Sequence, residues 1–218
     1  MTNPNHTRIV FLLDRSGSMS GLKTEVEGGF NAFIDEQRKA EGTCDVTLAQ
    51  FDNVYELVYA QRPLDQVPPL DLQPRGMTAL LDAMGRVITD TGAQLSGLPE
   101  DERPGTVILA IMTDGLENNS QEWTRAAVKK LVKQQERDYG WQILYMGANQ
   151  DAIEEGASFG VSAHNSMTYT PQNAASVMRS TASNIAAYRT SVVAGMPLMP
   201  MSYTDEQRRE AVQGTPSR

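Results

Sequence analysis

The chain has 218 residues, 40% hydrophobic and 21% charged, with a formal net charge of −8, enough for one large domain or two small ones with a sizeable core. The acidic balance and the absence of a Lys/Arg cluster argue against nucleic acid as a partner, and the lack of any apolar run of about 18 residues argues against a membrane span. One cysteine, Cys44, rules out an internal disulfide, and the opening MTNPNHTR lacks a signal peptide's apolar stretch, so a cytoplasmic protein is expected.

Residues 1–7 are expected to be flexible. Arg8 to Leu13, RIVFLL, is a short apolar run of the kind a buried parallel strand prefers. It ends on Asp14, and two hydroxyls follow at alternate positions, Ser16 and Ser18, with Gly17 between them to permit a tight turn. Val26, Phe30, Phe33 and Ile34 recur at helical spacing, predicting a helix over about residues 21–40 that Gly42 can stop. Cys44–Phe51 and Tyr55–Tyr59 read as strands. Asp52-Asn53 between them suggests a tight hairpin, which makes one strand an antiparallel edge.

A proline-rich connection runs from Pro63 to Pro74, and Leu80, Leu81, Met84, Val87 and Ile88 mark a second helix. Leu98–Pro104 is a polar loop, and Val107–Met112 is a second buried strand. Ser120 can cap a third helix with Glu122 in its first turn and Trp123, Ala127, Val128, Leu131 and Val132 on its apolar face. Trp141–Met146 is a strand, Asn149 or Asp151 opens a short helix Ala152–Phe159, and Met167–Tyr169 is a last short strand. Ala174–Val192 is the final large helix. Met196–Met201 contains two prolines and cannot be regular helix. Thr204-Asp205-Glu206-Gln207 matches a capping box, predicting a short helix over about residues 205–212 in a C-terminal tail 193–218. Strands alternating with helices predict an α/β fold: a doubly wound, mostly parallel central sheet with one antiparallel edge strand and helices on both faces.

An acid and two hydroxyls at the carboxyl end of a strand form a hard-oxygen cluster, which suits Mg²⁺, Mn²⁺ or Ca²⁺ better than zinc. Asp14-x-Ser16-x-Ser18 resembles the first segment of the metal-ion-dependent adhesion site of von Willebrand factor A domains. Gly76-Met77-Thr78-Ala79-Leu80 resembles the loop that gives that family its metal-binding threonine, and Met112-Thr113-Asp114-Gly115 resembles its third segment. The resemblance covers about residues 8–192, and it suggests an intracellular bacterial or phage protein of that family. It implies that Ser16, Ser18 and Thr78 bind a divalent cation, Mg²⁺ foremost, with Asp14 and Asp114 acting directly or through water. It further implies that the cation captures an Asp or Glu carboxylate of a protein partner. Thr113 is expected to be structural.

Each motif residue also has a plainer role open to it. Asp14 and Ser16 can cap the following helix, and Thr78 can cap its own. The residues flanking the motif segments, Arg15, Met19, Arg75, Met77, Glu117, Asn118 and Asn119, are candidates for a partner-binding ring, although Arg15 and Arg75 can equally be solvated. Two enzymatic alternatives use the same loops. Gly17 to Thr24 superficially resembles a phosphate-binding loop, but Leu22 separates glycine from Lys23 and Asp14 would repel phosphate. Metal-assisted hydrolysis lacks a histidine in any of the three loops. The expected function is therefore a non-enzymatic, metal-dependent protein-binding module.

Overall fold

A computed structural model describes residues 2–148, 151–197 and 201–213. Six strands form one sheet: β1 (Asn3–Asp14), β2 (Thr43–Phe51), β3 (Tyr55–Pro63), β4 (Pro104–Thr113), β5 (Gln142–Ala148) and β6 (Ser166–Tyr169). Their order is β3-β2-β1-β4-β5-β6. β2 and β3 pair antiparallel as a hairpin, and every other neighbouring pair is parallel. This is the doubly wound sheet with an antiparallel edge that the strand and helix pattern predicts.

The helices are α1 (Lys23–Lys39), α2 (Leu80–Ser96), α3 (Arg125–Tyr139), α4 (Ala152–Ser158), α5 (Ala174–Val193) and α6 (Asp205–Gln213). Alternation along β1 builds the two layers. Ile9, Phe11 and Leu13 join the core formed with Phe30 and Phe33 of α1 and Val177 and Ile185 of α5. Val10 and Leu12 join the opposite core, with Leu80, Met84 and Val87 of α2 and Val128 and Val132 of α3. A strand covered on both faces must be apolar throughout, and that is why RIVFLL shows no polar alternation.

β1 carries the topological switch. The chain leaves it for β2 on one side and later returns to β4 on the other. Leu13 pairs with Met112 and Asp14 with Phe51, so the carboxyl ends of β1 and β4 lie side by side. Open α/β sheets place their sites in the crevice at such a point.

Several elements differ from the sequence reading. β1 begins at Asn3, because Asn3 N–H donates to Arg103 O and pairing with β2 reaches back to His6. β3 runs on through Pro63, which an edge strand tolerates because one side of its backbone has no partner strand. α3 starts at Arg125, not after Ser120; Thr124 caps it by accepting from Ala127 N–H. Ser120 is engaged elsewhere, its hydroxyl accepting from Asp82 N–H in the first turn of α2. Asp151 caps α4, accepting from Ile153 and Glu154 N–H, while Asn149 lies outside the described residues.

Past α5, Leu198–Pro200 of the Met-Pro stretch also lie outside the described residues. Met201, Tyr203 and Ala211 are buried in the α1/α5 core. The capping box forms reciprocally, with Thr204 N–H donating to Gln207 Oε1 at 2.9 Å and Gln207 N–H to Thr204 Oγ1 at 3.2 Å. Arg208 donates to the carbonyl of Ser166 at 2.7 Å, so the last helix covers the outer edge of β6. No described helix is long and apolar enough to cross a membrane.

Candidate functional site

Asp14 ends β1 with its carboxylate fully buried. One oxygen accepts from Ser16 N–H and the other from Thr113 Oγ1, both at 2.6 Å. Burial pushes the Asp14 carboxyl up to about 6; the hydrogen bonds from Thr113 and Ser16 pull against that, and the charge of Asp114 adds to it. Ser16 Oγ lies 3.0 Å from Ser18 Oγ, and Ser18 Oγ donates to Asp114 Oδ1 at 2.6 Å. Asp114 is likewise raised, chiefly by burial, with the Ser18 hydrogen bond opposing. Thr78 closes the group: a Cβ placed on Gly115 would stand 3.3 Å from Thr78 Oγ1 and 3.8 Å from Ser18 Oγ. The structure thus brings Asp14, Ser16, Ser18, Thr78 and Asp114 together from three loops.

The Thr113 hydroxyl donates to the Asp14 carboxylate. Tyr169, fully buried on β6, donates to Thr113 O at 3.2 Å. Burial and the nearby Asp114 and Asp14 charges hold its phenol well above the usual value. Nothing in the sequence distinguishes Tyr169 from any other core tyrosine.

The loops are tied to one another by backbone bonds. Gly17 N–H donates to Gly76 O, Arg75 N–H to Arg15 O, and Ala79 N–H to Asp52 O. Gly76 has φ +71°, a conformation that glycine adopts without strain, and a Cβ there would also displace the Asn53 side chain. On the other side, Asn118 Oδ1 accepts from Thr78 N–H at 3.0 Å while Asn118 N–H donates to Thr78 O at 3.1 Å. Glu117 accepts four hydrogen bonds, from Leu81, Asn119 and Ser120 N–H and from Ser120 Oγ, all between 2.7 and 2.8 Å.

The flanking residues divide into two groups. Arg15 and Met19, both candidates for the exposed ring, point inward. The chain enters a 3₁₀ turn at Gly17–Gly21 whose inner side chain is Met19, fully buried in the core. Arg15 N–H continues the sheet by donating to Phe51 O. Its buried guanidinium lies against the hairpin, paired with Asp52 and Glu56. Asp52 also holds Arg75 at 2.9 Å. Burial tends to raise the Asp52 carboxyl, but the Arg75 bond, the Val54 N–H and Arg15 together hold it below its usual value. Around the hydroxyls the outward side chains include Arg75, 61% exposed, Met77, 51% exposed, Leu116, 58% exposed, and the exposed Asn118. Leu116 escaped the sequence reading; the available signal is an apolar residue in a polar loop directly after Asp114-Gly115.

The donors fit a hard divalent cation: two carboxylates that burial penalises while charged, beside three hydroxyls. Among the described residues no three His, Cys, Asp or Glu side chains converge on a metal-sized space, so any cation here would rely on hydroxyl oxygens as well as carboxylates.

No protein-family model matches the chain, and no curated protein matches it. Solved structures do. The vWF domain of the type V pili tip protein Mfa5 from Porphyromonas gingivalis is 13% identical, with a TM-score of 0.58 over 91% of this chain and 98% of that one. A von Willebrand factor type A structure from Catenulispora acidiphila is 15% identical, with a TM-score of 0.57 over 85% of this chain and 43% of that one. Proximal thread matrix protein 1 from the mussel byssus, in a form with a zinc-occupied MIDAS motif, is 18% identical, with a TM-score of 0.55 over 92% of this chain and 48% of that one. The chain spans about half the length of the mussel protein. At these identities the likeness is one of fold.

Proposed function

We propose that this chain, with the fold of von Willebrand factor A domains, is a non-enzymatic, metal-dependent protein-binding module. Asp14, Ser16, Ser18, Thr78 and Asp114 hold a divalent cation, Mg²⁺ by preference over Mn²⁺ or Ca²⁺. The bound cation supplies an electrophilic position that takes an Asp or Glu carboxylate of a protein partner. The observation that carries this reading is the chain of hydroxyl contacts from Ser16 through Ser18 to Asp114, which joins two motif segments 96 residues apart.

The protein's own residues do the rest. Thr113 and Ser16 N–H orient the Asp14 carboxylate. Met77 and Leu116 offer exposed apolar contact next to the site, and Arg75 offers a half-engaged guanidinium for a second acid. None of the three carboxylates in these loops is poised as a general base: Asp14 and Asp114 are engaged by hydroxyl donors, and Glu117 takes four donors. The phosphate-loop alternative loses its lysine, since Lys23 lies 3.5 Å from Glu27 and 3.7 Å from Asp71. A cytoplasmic setting in a bacterium or phage-infected host belongs to the same reading, resting on the motif resemblance and the single cysteine.

The test is affinity capture from a host lysate in Mg²⁺ and in EDTA, with wild type and Thr78→Ala. A partner retained only by the wild type in Mg²⁺ supports the reading. A partner retained equally in EDTA places the interface elsewhere.

A further inference from the structure

Asn118 grips the metal-loop threonine while its own side chain stays out of the set of oxygens that would hold a cation. Thr78 sits between the end of the long β3–α2 connection and the first turn of α2. Its hydroxyl belongs to the site, but both its backbone polar groups are held by a single residue of another loop. Thr78 N–H donates to Asn118 Oδ1 at 3.0 Å, and Thr78 O accepts from Asn118 N–H at 3.1 Å. Asn118 is four residues beyond Asp114, and between them a Cβ placed on Gly115 would stand 3.3 Å from the Thr78 hydroxyl. Two hydrogen bonds to one residue thus fasten the threonine loop to the aspartate loop.

We propose that Asn118 is a positioning residue for the divalent cation, fixing Thr78 relative to Asp114. This rests on the metal reading above. The physical reason is pre-organisation. A hydroxyl is a weak, neutral ligand, and its contribution depends on being held where the cation needs it. Without the Oδ1 acceptor, Thr78 N–H loses its partner beside a buried side chain, and the loop gains freedom that binding must remove again. Residues that orient ligands in this way typically change metal affinity about 10- to 100-fold when removed.

The neighbouring bonds provide an internal control. Glu117 and Ser120 cap α2 through Leu81 N–H and Asp82 N–H, one turn further from the hydroxyls. Glu117→Gln keeps one acceptor oxygen and loses the other, so it lowers stability without releasing Thr78 N–H. Asn118→Asp keeps the acceptor; Asn118→Ala removes it.

The experiment is Mn²⁺ titration of the full chain, followed by electron paramagnetic resonance, with hydrogen exchange of the Thr78 amide measured on the same samples. Asn118→Ala is expected to bind Mn²⁺ about 10-fold more weakly and to exchange the Thr78 amide faster. Asn118→Asp is expected to keep near wild-type affinity, and Glu117→Gln to lower Tm while leaving affinity within about 2-fold of wild type, well short of the effect of losing a ligand-orienting group. Asn118→Ala that matches a metal-binding wild type overturns the proposal alone. A Glu117→Gln loss as large as that of Asn118→Ala also overturns it, because the effect is then one of general loop stability. Wild type that takes up no Mn²⁺ at millimolar concentration overturns the metal reading and this proposal together, and the Thr78 exchange rate then still reports the clamp as a structural feature.

Discussion

At the scale of single residues, Asp14 concentrates the chemistry. Its carboxyl has an ordinary value of 3.8 and is pushed up to about 6 in the fold, principally by burial. The metal-free folded state therefore holds this proton more tightly than the unfolded chain. The group's stabilising contribution is full below about pH 4 and is lost as pH rises through about 6, a difference of about 3 kcal/mol. Asp14→Asn removes the charge and keeps the geometry: Oδ1 still accepts from Ser16 N–H, the amide can donate to Thr113 Oγ1, and that hydroxyl can turn to Gly115 O, 3.1 Å away. The expected outcome is a metal-free Asp14→Asn variant more stable than wild type at about pH 7.5 and nearly equal at about pH 4, read by urea unfolding in EDTA. Equal destabilisation at both values would assign Asp14 a plain packing role.

Asp52 is the opposite case. It serves Arg15, Arg75 and Val54 N–H at once. Asp52→Ala leaves the buried Arg15 guanidinium with only the half-exposed Glu56 as counter-charge, and loss of one member of a buried pair typically costs about 3–5 kcal/mol. Thermal melts should show that loss, whereas Arg75→Gln, at an exposed and solvent-screened side chain, should leave the melt close to that of wild type. A tolerated Asp52→Ala would mean that Glu56 alone satisfies Arg15.

At the scale of elements, the start of α2 is where the site and the fold share one set of bonds. Its first amides donate to Glu117 and Ser120, and in return the Asp82 carboxylate accepts from the N–H groups of Gln121, Glu122 and Trp123. Trp123 then lies over Gly85, where any Cβ would collide with the indole. Asp82→Ala should cost about 1–2 kcal/mol, as loss of a cap does, and Gly85→Ala about 1–3 kcal/mol by overpacking. Both are measured as midpoint shifts in urea. Substitution at Gly85 without effect would show that the Trp123 loop moves away freely, and the rigid connection between the aspartate and threonine loops would then be wrong.

At the scale of the whole molecule, the layers were legible because burial on both faces leaves continuous apolar strands such as RIVFLL, and because helical spacing marks α1, α2 and α5. The candidate site was legible to the extent that its donors fall on three short segments, two at the ends of β1 and β4 and one just before α2. What was not legible is long-range hydrogen bonding. Ser120 has the chemistry of a cap and serves as one, but for α2 rather than α3. Met19 and Arg15 flank the motif in sequence, yet a 3₁₀ turn and one sheet bond turn them inward. Leu116 faces solvent where its neighbours Asp114 and Gly115 are half-buried. These depend on which loops meet, and only the folded sheet decides that.

The central claim, a hydroxyl-rich divalent site at the β1/β4 switch point, is tested most directly by isothermal calorimetry of Mg²⁺ into wild type and Asp14→Asn at about pH 7.5, above the raised Asp14 value. Wild type should take up one ion per chain weakly and saturably and Asp14→Asn none, with the wild-type uptake fading as pH falls below about 6 because the cation must displace the Asp14 proton. No saturable heat up to millimolar Mg²⁺, or uptake undiminished in Asp14→Asn, would contradict it.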